Sequence, residues 1–262
     1  MEMIDFIKIT LHSFVGQLDD NTLLLSAGFT LLLIVTFCRP SGFVLLKNRK
    51  ADDWLLDLSN LFVQGTFIPW LQVILIAVLL TELLPGWSGS LAWHPVFAFL
   101  FCFVVVDYGY YWNHRLLHSK RFWPIHMVHH TAKQMDVLPT SRNTLWTSFF
   151  ILYLWVNGVM LYLLENPEVY LLTITLTALL DLWRHSRLQP KGLFGKLLGS
   201  VLVLPNDHAW HHSQDIYDIN FGANLNLWDR LHGSWLRNNR EPENLGVVSD
   251  MNMISKLWWP FR

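Results

Sequence analysis

Residues 58–81, LSNLFVQGTFIPWLQVILIAVLLT, run for 24 positions without a charged side chain. A helix needs about 20 mainly apolar residues to cross the hydrocarbon core of a bilayer, so this stretch predicts a membrane span. Working outward, four more apolar stretches are predicted as spans, at 21–38, 83–106, 143–164 and 169–183. The last is short, but the Asn166-Pro167 turn before it indicates a helical hairpin with the stretch that precedes it.

The composition of the 262-residue chain agrees with a membrane protein. Hydrophobic residues make up 52% and charged residues 15%, and the mean hydropathy is +0.30. Soluble domains carry about 25% charged residues, so an ordinary soluble enzyme and a disordered chain are both disfavoured. A net charge of −1 without a basic, aromatic-rich tract argues against a nucleic-acid partner. Cys38 and Cys102 both lie in apolar windows, which excludes a disulfide framework and a cysteine-based zinc site.

These stretches predict an all-α fold, a multi-pass transmembrane helical bundle that forms a single integral-membrane domain over residues 1–262. The first span is expected to stay in the mature protein. Its leading segment carries Glu2, Asp5, Asp19 and Asp20 against the single basic residue Lys8, the reverse of a secretory signal.

Lysine and arginine are distributed unevenly about the predicted spans. With the N-terminus on the non-cytoplasmic side, eighteen of the nineteen fall on one side and only Lys8 on the other. Cytoplasmic loops carry the excess of basic residues, so the polar stretches 107–142 and 184–262 are predicted to form a cytoplasmic, histidine-rich helical cap that includes the C-terminus. Within them, 192–204 is predicted to be interfacial or re-entrant, and 256–262 to anchor in the headgroup layer.

Nine of the twelve histidines fall in four tight groups in the predicted cap. One pair is spaced i, i+4, and two groups share the pattern HxxHH, spacings that bring imidazoles to one face of a helix. Pro124 and Pro205 predict the helix starts before those two groups. Crowded imidazoles repel one another when protonated unless a cation keeps them neutral, so the pattern indicates a metal site. The nine are His114, His118, His126, His129, His130, His185, His208, His211 and His212.

The residues alone leave the metal open, because imidazole binds zinc, copper, iron and nickel. One tetrahedral zinc needs about four ligands, so nine rings favour a pair of metal ions. A zinc-protease motif HExxH is absent from the sequence, and a b-type haem would use isolated histidines facing each other within spans. The predicted helical hairpin leaves the cytoplasmic face of the membrane after His130 and returns to it at His185. All four histidine groups can therefore converge at that face. His12, His94 and His232 are expected not to be ligands.

The motifs around these histidines resemble a known family. They are Asp107-(x)3-Tyr111-(x)2-His114-Arg115-(x)2-His118, His126-(x)2-His129-His130, His208-(x)2-His211-His212, Asn220-x-Gly222 and Trp228-Asp229-Arg230. Over about residues 100–235 the chain resembles the fatty acid hydroxylase and sterol desaturase superfamily of membrane di-iron oxygenases. Arg142 and the position of His185 are similar to its alkylglycerol monooxygenase-like and bacterial sterol desaturase-like branch.

This resemblance implies that the nine histidines hold two non-haem iron ions. It implies an O2-dependent enzyme that hydroxylates or desaturates a membrane lipid with a fatty acyl, ether-lipid or sterol-like structure. No amino-acid side chain attacks an aliphatic C–H bond, so the cofactor supplies the reactivity and the protein supplies placement. The sequence shows no cytochrome b5-like segment, flavin motif or ferredoxin cysteines. A separate electron-transfer protein is therefore expected, and the basic face suits an acidic one.

The resemblance also points to residues that support the ligands. Some family members have a further histidine where this chain has Asp181, four residues before His185. We expect the Asp181 carboxylate to orient His185, with direct ligation and helix capping as alternatives. Asp107 lies one heptad before His114 and is expected to accept an N–H from a ligand imidazole. The terminal motifs add two further candidates, Asn220 and Asp229.

Two other classes of function use the same histidines. One is a zinc-dependent membrane hydrolase or isomerase, and the other is a non-catalytic metal-binding or transport protein. Transport predicts ionisable residues inside the spans, and the strongest spans have essentially none. An oxygen-dependent product would separate the oxygenase from both alternatives.

Overall fold

The computed structural model describes the backbone of residues 3–258 and the side chains of residues 20–258. Within that range the only β pairing is three isolated bridges, so the predicted all-α class is confirmed. The expectations for His12 and for residues 259–262 lie outside the described side chains. In chain order the α-helices are α1 (Met3–Phe37), α2 (Pro40–Asn48), α3 (Ala51–Phe62), α4 (Ile68–Leu83), α5 (Pro95–Leu100), α6 (Asp107–Leu117), α7 (Trp123–Met127), α8 (Leu152–Leu163), α9 (Glu168–His185), α10 (Gly192–Leu198), α11 (Pro205–His211), α12 (Leu227–His232) and α13 (Met253–Trp258).

Among the described residues, three helical stretches are long and apolar enough to cross a membrane: Asp20–Phe37, Ala51–Leu83 and Pro95–Leu117. The second joins α3 to α4 through a π-helical turn at Val63–Phe67, and the third joins α5 to α6 through Phe101–Val106. At 1.5 Å per residue, the 23 residues of the third extend about 35 Å, enough for the hydrocarbon core. The predicted multi-pass membrane bundle is therefore confirmed.

The third span begins later than the predicted 83–106. Residues 84–94 form turns in which Gly86 and Gly89 have φ of +89° and +67°, a backbone region that glycine enters without strain. The helix starts at Pro95, whose missing N–H costs nothing in a first turn, and His94 Nδ1 accepts the N–H of Val96 at 3.3 Å. The span consequently extends into 107–117, which the sequence assigned to the cap.

The fourth predicted span, 143–164, is only partly helical. Helix α8 has twelve residues, about 18 Å, which is shorter than the hydrocarbon core. Residues 143–151 instead form turns and a short 3-10 helix at Thr147–Phe150, because their polar side chains and backbone groups bond to neighbouring elements. The Ser148 N–H donates to Gln64 Oε1 at 2.9 Å, and Thr147 Oγ1 donates to the Ile125 carbonyl at 2.9 Å. Apolar length alone overestimated this helix.

The predicted hairpin is present in α8 and α9, but α9, predicted as a span at 169–183, is not among the three candidate spans. At its tip the Glu165 N–H donates to the Leu91 carbonyl at 3.0 Å, in the loop between the second and third candidate spans. Helix α8 packs against α4, where Gly158 faces Ile76, and α9 packs against α1. The hairpin therefore reaches the end of the bundle opposite the histidines and returns to His185.

The remaining chain packs on the end of α6. A core of Tyr111, Phe221, Leu225 and Trp228 joins α6 to the segment that leads into α12. Helix α10 has seven residues, too short for a span, and it exposes three large apolar side chains, Leu193, Phe194 and Leu197. Helix α11 packs against α9, and this packing brings the histidine segments together.

Candidate metal centre

The fold brings all nine predicted ligands into two adjoining groups. Within each group, one ligand atom per residue lies within 4.8 Å of every other. Eight of the nine rings are buried, and His118 is half-buried. The five-histidine group consists of His114, His118, His126, His130 and His211. The four-histidine group consists of His129, His185, His208 and His212.

Each HxxHH box divides between the two groups. In the first box the i and i+4 rings, His126 and His130, join the five-histidine group, whereas the i+3 ring, His129, joins the other. The second box is the mirror of this, because His211, at i+3, is the member that joins the five-histidine group. One turn of helix thus supplies ligands to both groups. The groups touch where His130 stacks on His212, with ring centroids 4.3 Å apart.

Four of the rings are oriented by backbone carbonyls from other parts of the chain or from one turn earlier. A carbonyl can only accept, so the facing Nδ1 carries the proton and Nε2 of the same ring is left bare. Such outer partners fix both the tautomer and the direction of a ligand imidazole. The Nδ1 donors and their acceptors are His114 to Phe221 (2.8 Å), His129 to Arg142 (3.2 Å), His185 to Asp181 (2.8 Å) and His211 to Ile219 (2.7 Å).

The inward nitrogens fit a bound cation. His129 Nε2 and His185 Nε2 lie 3.3 Å apart, and both are bare because both Nδ1 atoms donate elsewhere. Two lone pairs facing each other repel, so this contact is not a hydrogen bond. His130 Nε2 and His211 Nε2 are buried without a partner, as are both ring nitrogens of His212. Burying unpaired polar atoms is costly, and a metal ion at each group would satisfy one nitrogen of each of these rings.

The protonation of the rings also suits metal binding. Burial lowers the pKa of His118, His126, His129, His130, His208 and His212, and neighbouring imidazoles lower it further. Burial lowers the pKa of His211 to about 4, although its bond to Ile219 opposes the shift. These rings are consequently neutral at pH 7, the form that ligates metals.

The sequence region that holds these groups matches a family described as fatty acid hydroxylase, over residues 99–234. This is about half of the chain. The protein belongs to the fatty acid hydroxylase family. No solved structure matches the chain.

Similar curated proteins are lipid oxygenases by name. The chain is 28% identical to alkylglycerol monooxygenase of Danio rerio over 71% of its own length and 41% of that protein. It is 27% identical to alkylglycerol monooxygenase of Homo sapiens, over 78% of its length and 45% of that protein. It is 30% identical to ornithine lipid hydroxylase of Rhizobium tropici, over 55% of its length and 43% of that protein. The chain therefore spans less than half the length of these relatives.

Within this fatty acid hydroxylase fold, Asp181 stands beside the four-histidine group without joining it. Its carboxylate Oδ1 lies 3.3 Å from His185 Nδ1 and 2.6 Å from Arg184 Nη2. The nitrogen that it faces is the outward one, and the inward Nε2 is the one aimed at the group. This placement suits orientation of His185 better than direct ligation.

Asp107 does not contact an imidazole, contrary to the sequence expectation. Its Oδ1 accepts the Asn224 N–H at 2.9 Å, and its Oδ2 accepts from the Leu225 N–H at 3.1 Å and from Trp228 Nε1 at 2.8 Å. Buried backbone N–H groups need acceptors, and Asp107 supplies them to the loop before α12. Asp107 therefore ties the third span to this loop.

Asn220 and Asp229 act on the backbone around Phe221. Asn220 Nδ2 donates to the carbonyls of Asp207 and Leu236, both at 2.8 Å, and its φ of +52° is a conformation that asparagine tolerates. Asp229 accepts the N–H groups of Phe221 and Gly222, both at 2.7 Å. Burial raises the pKa of Asp229 to about 6, and these bonds oppose the shift. Among their hydrogen bonds to described residues, none from either side chain goes to a histidine of the two groups.

Sequence reasoning missed the backbone acceptors of Phe221 and Ile219, because no side-chain pattern reports where a carbonyl points. It placed two other histidines correctly outside the groups. His94 caps α5, and His232 stacks on Tyr111 with ring centroids 5.2 Å apart.

Proposed function

We propose that this protein is a di-iron, O2-dependent oxidoreductase that hydroxylates a membrane lipid, with desaturation as the closely related outcome. The observation that carries the proposal is the pair of adjoining histidine groups at the end of a membrane bundle. Membership of the fatty acid hydroxylase family supports it, and so do the names of the similar alkylglycerol monooxygenases and ornithine lipid hydroxylase.

In this proposal each histidine group holds one iron ion, so that nine imidazoles serve as ligands. When bound, the two irons supply the oxidising chemistry by which O2, two external electrons and two protons convert a C–H bond into C–OH and release water. The carbonyls of Phe221, Arg142, Asp181 and Ile219 keep four ligand rings in one tautomer and direction. The closely packed rings leave little room for bulk water around the groups.

The lipid approaches from the bilayer beside the third candidate span. A groove of about 650 Å³ lies on this helix, with Phe97, Leu100, Phe101 and Val104 in its apolar lining. From Val104 to His114 the helix rises about 15 Å. A hydrocarbon chain held in this groove would lie against the helix that continues to His114.

We further propose that one integral-membrane domain covers residues 1–262, with the N-terminus non-cytoplasmic and the histidine groups and C-terminus cytoplasmic. All lysines and arginines except Lys8 follow the first candidate span and fall on one side of the corrected spans. A separate acidic electron-transfer protein would meet this basic face.

The direct test is lipid analysis of membranes from cells with and without the protein, supplied with O2 labelled with oxygen-18. A hydroxylase gives a lipid product that carries one labelled oxygen atom, and a desaturase gives an oxygen-dependent loss of two hydrogens. His185→Ala should abolish the product, and His94→Ala should not, because His94 lies outside both groups. A product that takes its oxygen from labelled water, or that forms without O2, would instead indicate the hydrolase or isomerase.

A further inference from the structure

A buried ion cluster connects the membrane helices to the segment after the first HxxHH box. It consists of Arg49, Asp57, Asp136 and Arg142, whose side chains are at most 3% exposed. Arg49 Nη1 contacts Asp136 Oδ2 at 2.7 Å and also bonds to Asp57, while Arg142 Nε contacts Asp57 Oδ1 at 2.5 Å. Two positive and two negative charges balance, so no net charge is buried.

Asp57 is the centre of this cluster. It is fully buried in the middle of α3, directly before the uncharged stretch 58–81 within the second candidate span, and it receives both arginines. Arg142 is held from a second direction by Asp53, at 2.9 Å from its Nη1. A guanidinium bound by two carboxylates has little freedom to rotate.

The cluster reaches the four-histidine group through the backbone of Arg142. The residue that Asp57 holds by its side chain is the residue whose carbonyl accepts from His129 Nδ1, at 3.2 Å. That bond leaves His129 Nε2 bare and aimed at His185 Nε2. A shift of the Arg142 backbone would therefore turn the His129 ring.

Burial of four charges is a poor way to stabilise a fold. The desolvation cost is large, and well-packed apolar side chains serve equally well or better. What ion pairs with fixed geometry add is a defined position for the backbone that carries them. This cluster lies directly behind the His129 imidazole, where a fixed backbone position would keep that ring in one orientation.

We infer that Asp57, together with Arg49, is a positioning residue for the metal of the four-histidine group: it fixes Arg142, whose carbonyl orients His129. The inference rests on the proposed function in taking the histidines as ligands. Arg49 and Asp57 lie outside residues 99–234, so the matched region of the family does not contain them. The second candidate span thereby becomes part of the metal site.

Asp229 provides a matched counterpart in the other group. It holds the N–H of Phe221, and the Phe221 carbonyl accepts from His114 Nδ1 at 2.8 Å. Asp57 thus acts on His129 through one intervening residue, and Asp229 acts on His114 in the same way. The two rings belong to different histidine groups. Asp57→Asn and Asp229→Asn should consequently affect different metals.

The experiment uses the full chain in lipid nanodiscs, stripped of metal and titrated with Co²⁺ against a chelator. Metal per chain gives the affinities, and the visible absorption of Co²⁺ reports its coordination. His208→Ala and His118→Ala provide reference spectra for damage to the four- and five-histidine groups. Arg187→Gln, which breaks the exposed ion pair with Glu241, is the control and should change nothing.

We expect Asp57→Asn to weaken one of the two Co²⁺ sites by up to about 10-fold, at the small end of the effect of losing an outer partner of a ligand, because Asp57 acts on His129 through Arg142. Its spectrum should match that of His208→Ala, and that of Asp229→Asn should match His118→Ala. Thermal unfolding of the metal-free variants establishes that they are folded. If Asp57→Asn does not fold, Arg142→Lys keeps the charge without the planar fork and should give the same selective loss.

Two results would overturn the inference: Asp57→Asn that binds both ions normally, or that weakens both sites equally. If the reference variants each lose one ion and Asp57→Asn loses none, the positioning role fails and the proposed metal centre stands. If His208→Ala and His118→Ala both keep two ions, the metal centre fails, and the proposed function fails with it.

Discussion

At the scale of single residues, the outward nitrogen of each histidine decides what its inward nitrogen can bind. A carbonyl at Nδ1 leaves Nε2 as an acceptor, and His129 and His185 show the result as two bare atoms 3.3 Å apart. His185 Nδ1 already donates to the backbone carbonyl of Asp181, and the Asp181 carboxylate faces the same nitrogen.

Asp181→Asn should therefore retain both metals and lower the rate of turnover by about 10-fold, at the small end of the effect of losing an outer partner, because the backbone acceptor of His185 remains. Metal per chain and initial rate of lipid oxidation measure the two effects. Loss of one metal would show that the carboxylate is a ligand. An unchanged rate would show that it serves only Arg184, its partner at 2.6 Å.

At the scale of elements, the period of the helix divides each HxxHH box between the two histidine groups. His129 and His130 are adjacent in sequence, yet they belong to different groups. His129 and His212, 83 positions apart, belong to the same one, with ring centroids 4.6 Å apart.

We expect His129→Ala and His130→Ala each to lose one metal, and the variant carrying both changes to lose both. The pair His129→Ala and His212→Ala should lose only one, because both changes damage the same site and their effects do not add. Metal analysis of the purified variants distinguishes these outcomes. Loss of both metals from every single variant would contradict two separable groups.

The loop before α12 leaves no room at Gly222. A Cβ there would lie 2.7 Å from Asp229 Oδ2 and 2.7 Å from the Leu225 carbonyl, neither of which can move without breaking bonds to the loop. Gly222→Ala should lower the free energy of unfolding by about 1–3 kcal/mol, as overpacking does. Gly109→Ala on α6, where the nearest atom is the end of the Leu152 side chain at 3.3 Å, should leave it unchanged or raise it by up to about 1 kcal/mol, because alanine is the better helix former. Thermal unfolding of metal-free protein compares them, and equal stability would contradict the crowding.

At the scale of the whole molecule, the correction of two predicted spans leaves the orientation prediction unchanged. Because three candidate spans are an odd number and the hairpin returns to its starting end, the proposed topology still puts the histidine groups on the side opposite the N-terminus. Ser88 and Glu165 lie at the other end, in segments joined by the bond from the Glu165 N–H to the Leu91 carbonyl.

Cysteines introduced at Ser88 and Glu165 should accordingly react with a membrane-impermeant thiol reagent added from the non-cytoplasmic side, and one at Lys133 should react only after permeabilisation. Replacement of Cys38, which is exposed, removes the background. Labelling of Lys133→Cys in intact cells, with protection of the other two, would reverse the topology.

The sequence by itself determined the helical class, the existence of the membrane spans and the nine histidines, since helical period and apolar length are local properties of the chain. It misplaced the helix in 143–164, because the turns there depend on Gln64 and Ile125, far away in sequence. Only the tertiary structure decided how the imidazoles divide into two histidine groups and which backbone carbonyls orient them. The carbonyl behind His114 belongs to Phe221, 107 positions away, and the charge behind His129 belongs to Asp57 on a membrane helix. Every residue has a backbone carbonyl, and in the sequence a buried aspartate cannot be distinguished from one on the surface. No sequence pattern therefore predicts these partners of His114 and His129.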